Sequence, residues 1–127
     1  MIIKNEQSNF SIKARLRSFR FAFEGLNSFF ATQHNATIHL VMTILVIGAA
    51  VFFKVTQGEA FAITLVTGLL WIAELFNTAI ERLSDIVSKD FHPSVKFIKD
   101  ISAAAVLVSA VIAMITGSII FLPKIFA

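Results

Sequence analysis

Residues 71–85 read WIAELFNTAIERLSD and follow directly on the apolar run AFAITLVTGLL of residues 60–70. The run alone is too short to cross a bilayer, since a spanning helix needs roughly 20 residues and about 17 at the least. It becomes a span only by taking in Glu74. A charged side chain at membrane depth is costly and usually marks a functional site. The placement of Glu74, Asn77, Glu81 and Asp85 therefore decides both the fold and the chemistry.

The rest of the chain agrees with a membrane setting. Its 127 residues are 57% hydrophobic and 15% charged, with a mean hydropathy of +0.81. A soluble domain carries about 25% charged residues. The composition implies a small integral membrane protein, with residues 1–127 forming one domain. No signal peptide is read at the N-terminus, because the first apolar run lies well inside the chain. There is no cysteine, which excludes disulfides, zinc–thiolate sites and thiol nucleophiles. The net charge of +3 is small and gives no argument for a nucleic-acid partner.

Three spans are expected, at about residues 36–53, 60–83 and 101–123. Lys4, Lys13, Arg15, Arg17 and Arg20 precede the first, and Arg82, Lys89, Lys96 and Lys99 lie between the second and third. Only Lys54 and Lys124 fall on the other side. The positive-inside rule then puts the N-terminus and the 82–100 segment in the cytoplasm. Ahead of the spans, Ile12, Leu16, Phe19, Phe23, Leu26 and Phe30 form one stripe of a helix over residues 10–30. Such a basic amphipathic helix suits the lipid interface or a face of the protein's own spans. Gly25 is expected to bend it before the polar stretch NSFFATQHNAT. SKDFHPSVK, residues 88–96, reads as a loop in which Pro93 stops the preceding helix.

On a helix each residue turns by about 100°, so positions 74, 77, 81 and 85 fall within an arc of roughly 80°. One face of the second span is thus acidic and amide-bearing. Asp85 can simply emerge at the membrane surface beside Arg82. That explanation is weaker for Glu81 and poor for Glu74, which lies about two turns deeper. A partly desolvated carboxylate can take a proton from a hydroxyl. One nearer the interface can bind Mg²⁺, which keeps waters and bridges one or two protein oxygens to phosphate. Asn77 can orient either acid. Intramembrane acids also form proton or ion relays, so a small oligomeric channel is the alternative reading. A purely structural membrane protein leaves the aligned acids unexplained.

HPSVKFIKDISAAAV, residues 92–106, forms a second cluster. Lys99 can neutralise phosphate oxygens, and Asp100 can fix Lys99 or orient the bound group. Both also suit an ordinary charged flank of a span. The small run SAAAV permits close helix–helix approach. His39 and His92 read as interfacial hydrogen-bonding residues rather than ligands. No Gly-rich phosphate loop exists among the five scattered glycines, so any nucleotide is held by side chains at the membrane surface.

The run E-x-x-N-T-A-I-E-x-x-x-D, Glu74 to Asp85, resembles the signature of the small bacterial membrane lipid kinases, the diacylglycerol kinase and undecaprenol kinase family. The resemblance extends to FAFEGL at Phe21–Leu26, to the three spans, and to KD-x-x-A-A-A-V at Lys99–Val106. It implies an all-α integral membrane protein: a homotrimer of three-span protomers with a surface helix, in the bacterial cytoplasmic membrane. It also implies an ATP- and Mg²⁺-dependent phosphotransferase acting on a membrane lipid hydroxyl.

By matching position, Glu74 is the catalytic base, supported by Asn77, and Glu81 binds the metal on the ATP phosphates. Arg17, Glu81, Asp85, Asp90, Phe91, His92, Lys99 and Asp100 are the nucleotide-binding residues. The family often has a second metal-binding Glu just before the first span, where this chain has Gln33. A Gln carbonyl can coordinate Mg²⁺ but brings no negative charge. The His-Pro after the acidic helix and the IHL at Ile38–Leu40 look more like the undecaprenol kinase branch. The sequence therefore favours undecaprenol as substrate over diacylglycerol.

Overall fold

A computed structural model of the protein describes residues 9–127. Lys4, counted above among the basic residues, lies outside them. The described residues form four α-helices and no strand: α1 (Ile12–Thr32), α2 (His34–Phe52), α3 (Gln57–Val87) and α4 (Pro93–Ile125). The chain divides after Gln33 into two units, α1 and the three-helix unit α2–α4.

In α1, Ser11 is the N-cap, its hydroxyl oxygen accepting from the Ala14 N–H at 3.3 Å. The helix passes through Gly25 and closes where the Gln33 N–H donates to the Phe29 carbonyl at 3.0 Å. The bend expected at Gly25 does not form. A single helical glycine costs only about 1 kcal/mol relative to alanine, too little to break a ladder that continues on both sides. Arg20 and Glu24 pair along the exposed face at 2.9 Å.

The second unit holds three helices long and apolar enough to cross a membrane. A backbone in lipid must satisfy its polar groups internally, which the helix does. The 19 residues of α2 rise about 28 Å, close to the hydrocarbon thickness of roughly 30 Å. The 31 residues of α3 and 33 of α4 rise about 46 and 50 Å, so both overrun the bilayer.

Each end has a local cause. At the end of α2 the N–H of Val55 reaches the Ala50 carbonyl at 3.1 Å and that of Lys54 reaches Val51 at 3.3 Å. Lys54 sits between at φ 50°, which makes a Schellman motif with lysine where glycine is usual. Helix α3 opens on a capping box: Thr56 Oγ1 accepts from the Glu59 N–H at 3.2 Å, and Glu59 Oε2 accepts from the Thr56 N–H at 2.9 Å. The T-x-x-E pattern starts the helix a turn before Ala60. The connection between α3 and α4 is only residues 88–92. Pro93 begins α4 instead of merely ending α3, with His92 as N-cap accepting at Nδ1 from the Ser94 N–H at 3.1 Å. Proline fits the first helical position because that N–H has no helical acceptor anyway. Residues 93–100 are accordingly helical, ahead of the span expected from Ile101.

Helix α3 packs principally on α4 and more sparingly on α2. The interior of this unit is built from Ala36, Ile63, Ile120, Glu74, Ser84, Ser102 and Ser109, while long apolar side chains such as Leu45, Leu107 and Ile119 face outward. Small and polar groups inside with aliphatic groups outside is the pattern of helices solvated by lipid. At the far end from Asp85, Glu59 and Lys124 pair at 3.1 Å and join the start of α3 to the end of α4.

Candidate functional site

The site is built up along α3. At its lowest level Glu74 is 4% exposed, and its Oε1 lies 2.7 Å from Nε2 of His39 on α2. One turn earlier Trp71 donates from Nε1 to Thr43 Oγ1 at 3.0 Å, and the Thr43 hydroxyl donates to the His39 carbonyl at 2.7 Å. Burying a carboxylate is costly without a hydrogen-bond donor, and His39 supplies one to Oε1. No buried side-chain nitrogen or oxygen among the described residues lacks a partner. Beside this cluster lies an apolar cavity of about 340 Å³, lined by His39, Met42, Val46, Leu70, Trp71, Ala113 and Met114 among others.

One turn up, Asn77 accepts from the Ser102 hydroxyl of α4 at 2.8 Å. Its Nδ2 makes a long contact of 3.5 Å to Glu81 Oε1. Glu81 is half-exposed and lies about 10 Å from Glu74 along the helix axis. Asp85, one turn further, accepts from Lys99 Nζ of α4 at 2.6 Å. There the helices open into a polar cleft of about 380 Å³. Asp85, Asp90, Phe91, His92, Lys99 and Asp100 all line it, with Ser88, Lys89, Val95 and Lys96.

The structure thus gathers the expected residues of the second unit at two levels. Glu74, Asn77 and Glu81 climb α3, and six of the residues assigned to the nucleotide share one cleft above them. Arg17 on α1 and Gln33 at its C-cap belong to the first unit. Asp100 does not fix Lys99; it pairs with Lys96 at 2.5 Å. Adjacent helical residues point about 100° apart, so Lys99 turns instead to Asp85 across the loop. The sequence marks His39 as a hydrogen-bonding residue, but nothing in it names Glu74 as the partner.

Among the described residues no three His, Asp or Glu side chains converge on a point that could cage an ion. Magnesium that arrives with a nucleotide needs only one or two protein carboxylates, the rest of its shell being phosphate and water. Glu81, half-exposed below the cleft, has the chemistry for that role.

Residues 20–121 match the family described as prokaryotic diacylglycerol kinase. A diacylglycerol kinase of Synechocystis is 37% identical over 113 residues, 88% of this chain and 65% of that protein. The undecaprenol kinase of Bacillus subtilis is 35% identical over 121 residues, 95% of this chain and 94% of that protein. A diacylglycerol kinase of Pseudomonas aeruginosa is 34% identical over 83 residues, 65% of this chain and 68% of that protein. The chain spans about two thirds of the length of the Synechocystis relative and nearly all of the Bacillus one. With the family match covering most of its residues and its three apolar helices, this all-α membrane protein belongs to the prokaryotic diacylglycerol kinase family.

Proposed function

We propose that the chain transfers the γ-phosphoryl group of ATP, as its Mg²⁺ complex, to the hydroxyl of a membrane alcohol at the cytoplasmic surface. The observation that carries this reading is the burial of Glu74 against His39, which itself lines an apolar cavity, in a family named for lipid phosphorylation. The lipid hydroxyl comes to Glu74, which takes its proton as the oxygen attacks the γ-phosphorus. The new O–P bond forms in line as the bond to the β–γ bridging oxygen breaks, and ADP leaves. Catalysis in such a transfer is largely positioning and charge neutralisation. Asn77 steadies Glu81, which would hold the Mg²⁺; that ion, when bound, neutralises phosphate oxygens.

Lys99, Asp85, Asp90, Phe91, His92 and Asp100 form the nucleotide cleft. Arg17 and Gln33 enter the proposal by their match to the family pattern alone, as a nucleotide contact and a second metal ligand. Assembly as a homotrimer rests on the same resemblance. Undecaprenol is the preferred acceptor and diacylglycerol the runner-up, supported by near end-to-end similarity to the Bacillus subtilis undecaprenol kinase. The cytoplasmic orientation rests on the basic residues around the 82–100 segment. A channel or proton relay on the same acidic face leaves the family match without a role.

The test is transfer of labelled phosphate from ATP, with Mg²⁺, to undecaprenol or diacylglycerol by the purified protein in bilayers. Preference for undecaprenol is expected. A folded protein that labels neither lipid would overturn the reading.

A further inference from the structure

Glu74 is held by a residue on another helix. Nε2 of His39 on α2 stands 2.7 Å from Glu74 Oε1, and the two side chains are only 18% and 5% exposed. To act as a base Glu74 must be a carboxylate, which can only accept, and the imidazole then donates to it from Nε2. We infer that His39 is the positioning residue of the base: its Nε2–H pins Oε1 of Glu74 and leaves Oε2 as the oxygen that meets the lipid hydroxyl. This rests on the proposed role of Glu74 as base.

Two further observations describe how His39 is set, one at its ring and one at its backbone. Its ring lies 5.9 Å from the Trp71 indole, tilted at 58°, so the ring packs against a rigid neighbour one turn before Glu74 on α3. The peptide carbonyl of His39 accepts from Thr43, whose oxygen accepts in turn from Trp71. Trp71, Thr43, His39 and Glu74 therefore close a circuit between α2 and α3, in which the only carboxylate is Glu74. Helices α2 and α3 otherwise meet sparingly. His39 also lines the apolar cavity, which puts it between the space for a hydrocarbon chain and the acid that acts on its end. A bare interhelix tie would need none of this placement; two apolar side chains would join α2 to α3 as well.

The experiment uses the full chain in bilayers with undecaprenol and diacylglycerol as acceptors, and reads kcat, the KM for ATP and the thermal midpoint. A misplacement of about 1 Å in a reacting group costs on the order of 10²-fold in rate. His39→Leu should therefore lower kcat by about 10²-fold, with the KM for ATP held within about twofold. His39→Gln carries an N–H at nearly the position of Nε2 and should recover kcat to within about tenfold of the wild type. His39→Asn is polar but one methylene too short, so it should stay low in kcat with an unchanged thermal midpoint; it carries the test should His39→Leu fail to fold.

Glu74→Asp withdraws the carboxylate from Nε2, so adding His39→Leu to it should cause little further loss. The inference is overturned by full activity in His39→Leu or His39→Asn, by no recovery in His39→Gln, or by losses that multiply in the double variant. Loss of activity only in proportion to loss of folded protein overturns it as well. A wild type that phosphorylates neither lipid removes the functional reading beneath the inference; an active wild type with an indifferent His39 removes the inference alone.

Discussion

Ser102 of α4 donates a hydrogen bond of 2.8 Å to Asn77 Oδ1 on α3. A hydroxyl that donates to the amide oxygen settles which half of the amide faces the other way, so the Asn77 NH₂ turns toward Glu81. The closely packed α3–α4 pair thereby orients a residue of the acidic face through a serine buried to 6% exposure.

Removing that bond separates orientation from presence. Ser102→Ala should destabilise the protein by about 1 kcal/mol, the usual worth of such a bond. It should lower kcat by only a few-fold, since Asn77 remains. Asn77→Ala should cost more, on the order of 10-fold to 10²-fold, because Glu81 then loses its neighbour altogether. Initial rates and thermal unfolding of the two variants check both statements; equal losses would mean that Ser102 does more than orient the amide.

The two glutamates should fail differently. With Glu74 as the proposed base, Glu74→Gln should lower kcat by about 10³-fold, within the range for general-base loss, while binding of a non-hydrolysable ATP analogue stays near normal. Glu81→Gln should raise the KM for Mg²⁺–ATP by about tenfold, with partial recovery at high Mg²⁺. Near-normal turnover in Glu74→Gln would remove it from the role of base.

Lys99 is held by Asp85 at 2.6 Å in a half-open setting, and exposed pairs of this kind are worth at most about 1 kcal/mol. A phosphate can therefore win the ammonium from Asp85 at small cost. Lys99→Ala should raise the KM for ATP by about tenfold and flatten its dependence on salt. Asp85→Asn frees the lysine and should leave that KM unchanged or about twofold lower. Steady-state rates across a salt series distinguish these outcomes.

Lys54 occupies the left-handed position of the turn after α2. Glycine pays no steric penalty there, whereas other residues carry about 1 kcal/mol. Lys54→Gly should accordingly raise stability by roughly that amount and leave turnover unchanged, as measured by unfolding in mixed micelles. Lys54→Val should do the reverse, since a β-branched residue resists positive φ.

The helical arc of Glu74, Asn77, Glu81 and Asp85 was legible because spacing along one helix determines angle. The three apolar runs were legible because lipid demands about 20 apolar residues per span. Two helix starts lie outside the apolar runs for local reasons. Pro93 can start a helix as well as stop one, and the T-x-x-E box before Ala60 lies outside the apolar run. Partners across helices were the illegible part. Nothing near His39 in sequence names Glu74, 35 residues away. Nothing beside Lys99 says that Asp85 rather than Asp100 will accept its hydrogen bond. Such pairings depend on how α2 and α4 dock on α3, and the periodicity of one helix carries no record of that.

On the proposed roles of Glu74 and Glu81, the unequal lengths of the helices make membrane thickness a variable of the chemistry. Helix α2 matches the hydrocarbon layer, whereas α3 and α4 exceed it by about 16 and 20 Å and are clasped to each other at both ends. The distance from Glu74 to the cleft at Lys99 is therefore set by protein alone. The level of the lipid head groups against that fixed scale is set by the bilayer. A thicker membrane draws Glu81 toward hydrocarbon, and a thinner one brings water down toward Glu74.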